Sequence, residues 1–138
     1  MKLFSLLLVL CCFISCASKP VQPVCADATE NIVLSQKQAG LIQGNVSKFL
    51  SDAKIREEHS QESGKSLWRF SNMPEDSIYY VIGLREGDAI YQTNLGLQTS
   101  SLNLISDLSG ISLGTTNCLY VQSRDNSRKV IHIKVQKE

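Results

Sequence analysis

The stretch SIYYVIGLREGDAIYQTN, residues 77–94, decides how the rest of the chain is read. Ser77 is a favourable N-cap, and the apolar run Ile78, Tyr79, Tyr80, Val81 and Ile82 ends at Gly83. That glycine suits the left-handed position just past a helix end. Leu84 is expected to plug into a core, and Gly87 to take a turn conformation that a side chain resists. Asp88 is placed to cap free amides where the alternating strand AIYQT departs. The turn built on Gly83, Gly87 and Asp88 therefore reads as structural.

Working outward towards the C-terminus, Leu102, Ile105 and Leu108 recur at helical spacing before Gly110 and predict a second short helix. NCLYVQS and KVIHIKV alternate as strands, and RDNSR, residues 124–128, joins them as a hairpin. Towards the N-terminus, AKIRE and SLWRFSN are further strands separated by the polar turn HSQESGK. Before them SQKQ matches a capping box from Ser35 to Gln38. Ala39, Ile42, Val46, Phe49, Leu50 and Ala53 then form one apolar stripe, predicting an amphipathic helix over residues 36–52. Gly40 and Gly44 each lower its propensity by about 1 kcal/mol relative to alanine, so it depends on packing. Its polar face, with Gln43, Lys48 and Asp52, lacks the basic character of a membrane-surface helix, which favours core packing. The fold class expected is α+β: a single small, partly open β-barrel or sandwich of about five strands with two short helices, preceded by the amphipathic helix.

The 138 residues, 43% of them hydrophobic, support one domain, and 14 Lys plus Arg against 13 Asp plus Glu leave a net charge of +1. Basic residues are scattered rather than clustered, so nucleic acid is not an expected partner. Lys2, the apolar run LFSLLLVLCCFI and Ser15 before Cys16 read as an export leader. The run is too short for the roughly 20 residues that a spanning helix needs. FISC, residues 13–16, resembles the bacterial lipobox, although Phe13 stands where an aliphatic residue is usual; the alternative is ordinary secretory cleavage near Ala17 or Ala26. Lipidation at Cys16 would supply more than one acyl chain, with each buried methylene contributing about 0.8 kcal/mol, enough for stable anchoring. Ala17 and Ser18 after that cysteine resemble an outer-membrane address. The expected organisation is a signal peptide over 1–15, a lipid-anchored tether over 16–31 and the folded domain over 32–138.

With Cys11 and Cys12 in the leader and Cys16 lipidated, Cys25 and Cys118 remain. In an oxidising compartment they either pair or stand as two independent thiols. Neither they nor the separate His59 and His132 show metal-ligand spacing, so no metal and no cofactor are expected.

The element order around GLREGD, together with SIYYVIGLREGDAI, resembles PDZ domains of the circularly permuted bacterial kind. More narrowly, residues 34–135 resemble the C-terminal PDZ domain of type II secretion system protein C. That resemblance implies an interaction module that binds an extended segment by adding it to a sheet edge. The groove it implies lies between Leu67, Trp68, Arg69 and Phe70 on a strand and Leu102, Ile105 and Leu108 on the later helix. Trp68 and Phe70 share one strand face, Leu67 and Arg69 the other. Arg69 is either a partner for a ligand carboxylate or a solvated surface charge.

An enzyme is not expected, because no GxSxG motif, complete phosphate loop or triad is present and Cys118 with His132 is only a pair of residue types on two strands. Strand parity places His132 away from Ile131 and Ile133. Two readings follow: a membrane-tethered periplasmic module that recruits a protein segment to a type II secretion-like envelope assembly, or a structural lipoprotein that packs on a fixed partner. An open groove favours the first, and a groove filled by the helix over 36–52 or by the tether favours the second.

Overall fold

Seven strands share one sheet, and the longer ones carry apolar side chains on the face that the helices cover. The computed structural model describes residues 25–98 and 100–137. The leader, Cys16 and the tether up to residue 24 lie outside the described residues. The elements in chain order are β1 (Glu30–Ser35), α1 (Gln36–Ile42), α2 (Val46–Ser51), β2 (Lys54–His59), β3 (Ser66–Ser71), α3 (Ile78–Val81), β4 (Ala89–Thr93), β5 (Gly96–Leu97), α4 (Ser101–Ser109), β6 (Asn117–Gln122) and β7 (Arg128–Gln136). The sheet runs β1-β7-β6-β4-β3-β2, with β5 as a two-residue addition to β4. β1 lies parallel to β7, and every other neighbouring pair is antiparallel. The α+β class and the order strand, strand, short helix, turn, strand, longer helix, closing hairpin are those expected from the sequence.

Three differences from the sequence reading have local causes. β1 starts at Glu30, inside the expected tether. Its residues ENIVLS show weak alternation because the apolar Val33 lies on the solvated side. β5 has only two residues and carries no periodic signal. The helix over 36–52 is two helices, because Gly44 adopts φ +71° and Asn45 starts a new N-cap, accepting from the Lys48 amide. The first helix carries the Ser35–Gln38 capping box, with bonds of 3.1 and 2.9 Å.

Phe49, Phe70 and Tyr79 form the centre of the core, the Tyr79 ring lying 5.4 Å from Phe49 and 4.8 Å from Phe70. Leu84, Ile90, Leu104, Leu108, Ile131 and Ile133 complete it. The Tyr79 hydroxyl donates to the Phe49 carbonyl. Burial, helped by the nearby Asp52 charge, pushes the pKa of that hydroxyl well above its ordinary range.

In the GLREGD turn, Gly83 has φ +93° and sits against Ile32 and Ile131. Gly87 has φ +84° beside the Arg124 guanidinium. Asp88 is buried, accepts from the Arg85 amide at 2.9 Å and pairs with Lys129 at 2.9 Å.

Cys25 and Cys118 form a disulfide with Cα atoms 5.7 Å apart. Cys118 pairs with His132, on the sheet face opposite Ile131 and Ile133. The disulfide therefore staples the entering chain to the face away from the helices. From there Thr29 bonds Val130 at 2.9 Å and leads into β1.

Candidate functional site

A sheet edge accepts another strand only where its backbone groups are unpaired. β3 does not meet that condition: Trp68 is opposite Glu57 on one side and Ile90 on the other, and Arg69 is opposite Arg56 and Ala89. The side chains expected to line a groove on β3 are spent in the same way. Trp68 and Phe70 lie in the core, and the Trp68 indole N–H donates to the Gln98 carbonyl at 3.1 Å. Leu67 is buried on the opposite face. Arg69 donates to Glu58 at 2.8 Å and to the Gly87 carbonyl at 2.6 Å, so it is neither a solvated charge nor an unengaged cation.

On the helix side, Ile105 and Leu108 are also core residues, and only Leu102, 68% exposed, faces solvent. The groove between β3 and α4 is thus corrected: its residues belong to an interior strand and to the packed face of a helix. The structure does not bring them together as an open cleft.

The edge lies one strand further out, on β2. Two-stranded antiparallel pairing makes residues alternate between bonding inward and pointing outward. Ser60 donates to the Lys65 carbonyl at 2.9 Å, and Glu58, Arg56 and Lys54 continue that bonded phase towards Leu67, Arg69 and Ser71. Phe70 agrees, because it exchanges bonds with Asp88 and Gly87 on the β4 side. Ile55, Glu57 and His59 therefore direct their N–H and C=O groups outward. Among the described residues no strand pairs with that side of β2.

The sequence signal for this edge was present in KIREEH, where charge replaces the apolar face of an interior strand. It was obscured because Ile55 also packs on the core. Lys54 and Arg56 place positive charge at one end of the edge, and Glu57 and Glu58 place negative charge further on. His59 Nε2 lies 4.0 Å from Glu57. Past the end of β2 a cleft of about 340 Å³ opens between Glu58, His59, Glu62, Arg69 and Gln122.

α2 reaches the start of β2 through Asp52 and Ala53. Asp52 caps α3 by accepting from the Ile78 amide at 2.8 Å and also pairs with Lys48 at 3.3 Å. α2 packs on α3 and α4, with Phe49 fully buried and the Gly44 amide bonded to the Ser109 carbonyl at 2.9 Å. Leu50 and Leu102 remain exposed on these two packed helices.

His132 is half-buried beside Cys118, whose sulfur is held in the disulfide. Burial first, then the neighbouring Lys134 charge, lowers the His132 pKa. No three His, Cys, Asp or Glu side chains come together as a metal-holding group among the described residues. No helix among them is long and apolar enough to cross a membrane.

No protein-family model matches the chain, and no curated protein matches it. Among solved structures it is similar to the PDZ domain of EpsC from Vibrio cholerae, at 20% identity and a TM-score of 0.44. That alignment covers 71% of this chain and 90% of the other.

Proposed function

We propose that this chain is a membrane-tethered, periplasm-facing interaction module that adds an extended protein segment to the free edge of β2. The assembly it serves is an envelope machine of the type II secretion kind. The observation that carries the reading is the outward set of backbone groups on Ile55, Glu57 and His59, a ready-made template for strand addition. The element order supports it, because the first described strand adds beside the last and closes the sheet, as a permuted PDZ arrangement implies. The apolar leader and Cys16 support the tether and the compartment.

The test is selection of extended peptides by phage display, followed by NMR titration of the enriched peptide. Amide shifts at Ile55, Glu57 and His59 are expected, with slowed exchange at Glu57 and His59. Failure to enrich any peptide, or shifts confined to other elements, overturns the strand-addition reading. Intact mass of the membrane-extracted protein beside a Cys16→Ala variant tests the tether separately: the lipid increment is expected only in the parent.

A second reading rests on α2. Its packing on α4, with Phe49 fully buried, occupies the flank of the helix that a bound segment would use. A structural lipoprotein that docks on a fixed partner fits that observation. It predicts that no free peptide binds while a folded partner does.

A further inference from the structure

β1 closes the sheet at the end opposite β2, and the two edges differ in chemistry. The Ser123–Ser127 bond sets the β6–β7 phase, in which Leu119 bonds Ile131 and Asn117 bonds Ile133, so Val130, His132 and Lys134 turn their backbone groups to β1. In the parallel register they bond Glu30, Ile32 and Leu34, while Asn31 and Val33 turn theirs outward. No strand among the described residues pairs with that outer side. β2, with KIREEH, is defended by charge along almost its whole length. β1, with ENIVLS, carries none after Glu30 and no proline, and Val33 is 57% exposed on it. An edge so undefended is a template for pairing with another chain.

We infer that the occupant is a second copy of this chain, its β1 pairing antiparallel about a two-fold axis through Ile32. This goes beyond the proposed peptide site, since it uses the other edge. In that register Ile32 faces Ile32 of the partner subunit, Glu30 faces Leu34 of the partner subunit, and Asn31 faces Val33 of the partner subunit. No like charges meet, and the exposed Val33 is covered.

The same operation fails at β2. An axis through Glu57 sets two glutamates opposite each other, and one through Arg56 sets two arginines. An axis through Ile55 puts Lys54 against Arg56, and one through Glu58 again opposes two glutamates. Like charges directly opposite each other are destabilising. Charge complementarity therefore separates an edge that can join its own copy from one that repels it.

Two further features fit this occupant. The disulfide fixes the chain five residues before Glu30, so β1 is held in place before any partner arrives. A two-fold axis between antiparallel edge strands runs perpendicular to the sheet, so both Cys25–Cys118 bridges lie on the same side of the joined sheet. Both chains then enter from one side, as two anchors in one membrane would require.

The contact is narrow and belongs to the small end of specific interfaces, so self-association is expected in about the tens-of-micromolar range. Sedimentation equilibrium of the full chain in density-matched detergent, over roughly 10 to 200 µM, tests it. A monomer–dimer equilibrium is expected. Val33→Lys and Asn31→Lys, both exposed on the outer face, should each weaken it at least about tenfold while leaving the thermal unfolding midpoint near that of the parent. Should one of these variants fold poorly, the other reads the same contact. Glu57→Lys, on the opposite edge, should leave the dimer intact. A monomer across the whole range, or dimer loss in Glu57→Lys with retention in both lysine variants of β1, overturns the inference.

Discussion

Reducing the Cys25–Cys118 bond is the most informative perturbation of this fold, because it changes no side-chain volume and acts on one covalent link. The two cysteines are 93 residues apart, so the link closes most of the folded chain into one loop. Loop closure of that length takes entropy from the unfolded ensemble and so raises its free energy by about 4.6 kcal/mol at 25 °C. A domain of this size has a total stability of only about 5–15 kcal/mol, so the link accounts for a large fraction of it. The assay is urea unfolding of oxidised protein beside protein reduced with a phosphine while unfolded and then refolded. With a urea slope of about 1.5 kcal/mol/M, the midpoint of the reduced protein should fall by about 3 M at unchanged slope. A fall equivalent to less than about 1 kcal/mol would refute the loop-closure reasoning and show that the unfolded chain already keeps its ends together.

Two other predictions follow from local geometry. Gly83→Ala should destabilise more than Gly87→Ala, although both glycines have positive φ. A Cβ at residue 83 would meet Ile32 at 3.0 Å inside the packed core, whereas at residue 87 it would meet the movable end of Arg124. Backbone strain alone costs about 1–2 kcal/mol at each site, and denaturation midpoints would show the extra cost at Gly83; an equal or reversed order contradicts the packing argument.

Tyr79 carries a pH prediction. Its folded pKa is raised by burial, so the protonated hydroxyl contributes stability that is complete below the unfolded value and is lost as pH climbs above about 10. Tyr79→Phe should cost about 1–2 kcal/mol near neutrality, by leaving the Phe49 carbonyl unpaired, and should flatten the alkaline loss. An alkaline profile identical in the two proteins would rule out Tyr79 as its source.

The sequence was most legible where one residue type has one physical use. Ser35 with Gln38 and Ser77 before an apolar run marked helix starts because a hydroxyl there satisfies a free amide. The five longer strands after residue 53 were readable from short apolar or alternating runs bounded by turn residues. β1 was hidden by its environment: a parallel edge strand needs no hairpin partner nearby in sequence, and the apolar Val33 on its solvated side breaks the alternation. The break at Gly44 was visible only as a propensity cost, because the left-handed turn is decided by the tertiary bond from its amide to Ser109.

The candidate site was misplaced by one strand for a related reason. Period-2 alternation tells which face a residue takes, but not whether a strand is interior or at an edge. SLWRFSN reads as a groove strand because it is aromatic, and it is aromatic because it is buried on both faces and flanked on both sides. The edge is betrayed by the opposite property, the charges of β2.

The disulfide and β1 depend on each other in a way that hydrogen exchange can expose. β1 pairs with β7 across about a hundred residues of chain, and closing so long a loop around a half-solvated strand carries a large entropic cost. While Cys25 is bonded to Cys118, that closure is already made, and Thr29 needs only a few further residues to reach its partner on β7. In the reduced protein the strand must be held by its ladder, by the buried Leu34, by Ile32 against Gly83 and by the Glu30–Lys129 pair. Reduction should therefore loosen β1 before the rest of the sheet. Amide protection at Ile32 and Leu34 should fall well below that at Leu119, Val121 and Ile131 under mildly native conditions. Uniform loss across the sheet would mean that β1 is an integral part of the cooperative unit, and that the Cys25–Cys118 bond is needed for the whole fold rather than for this edge.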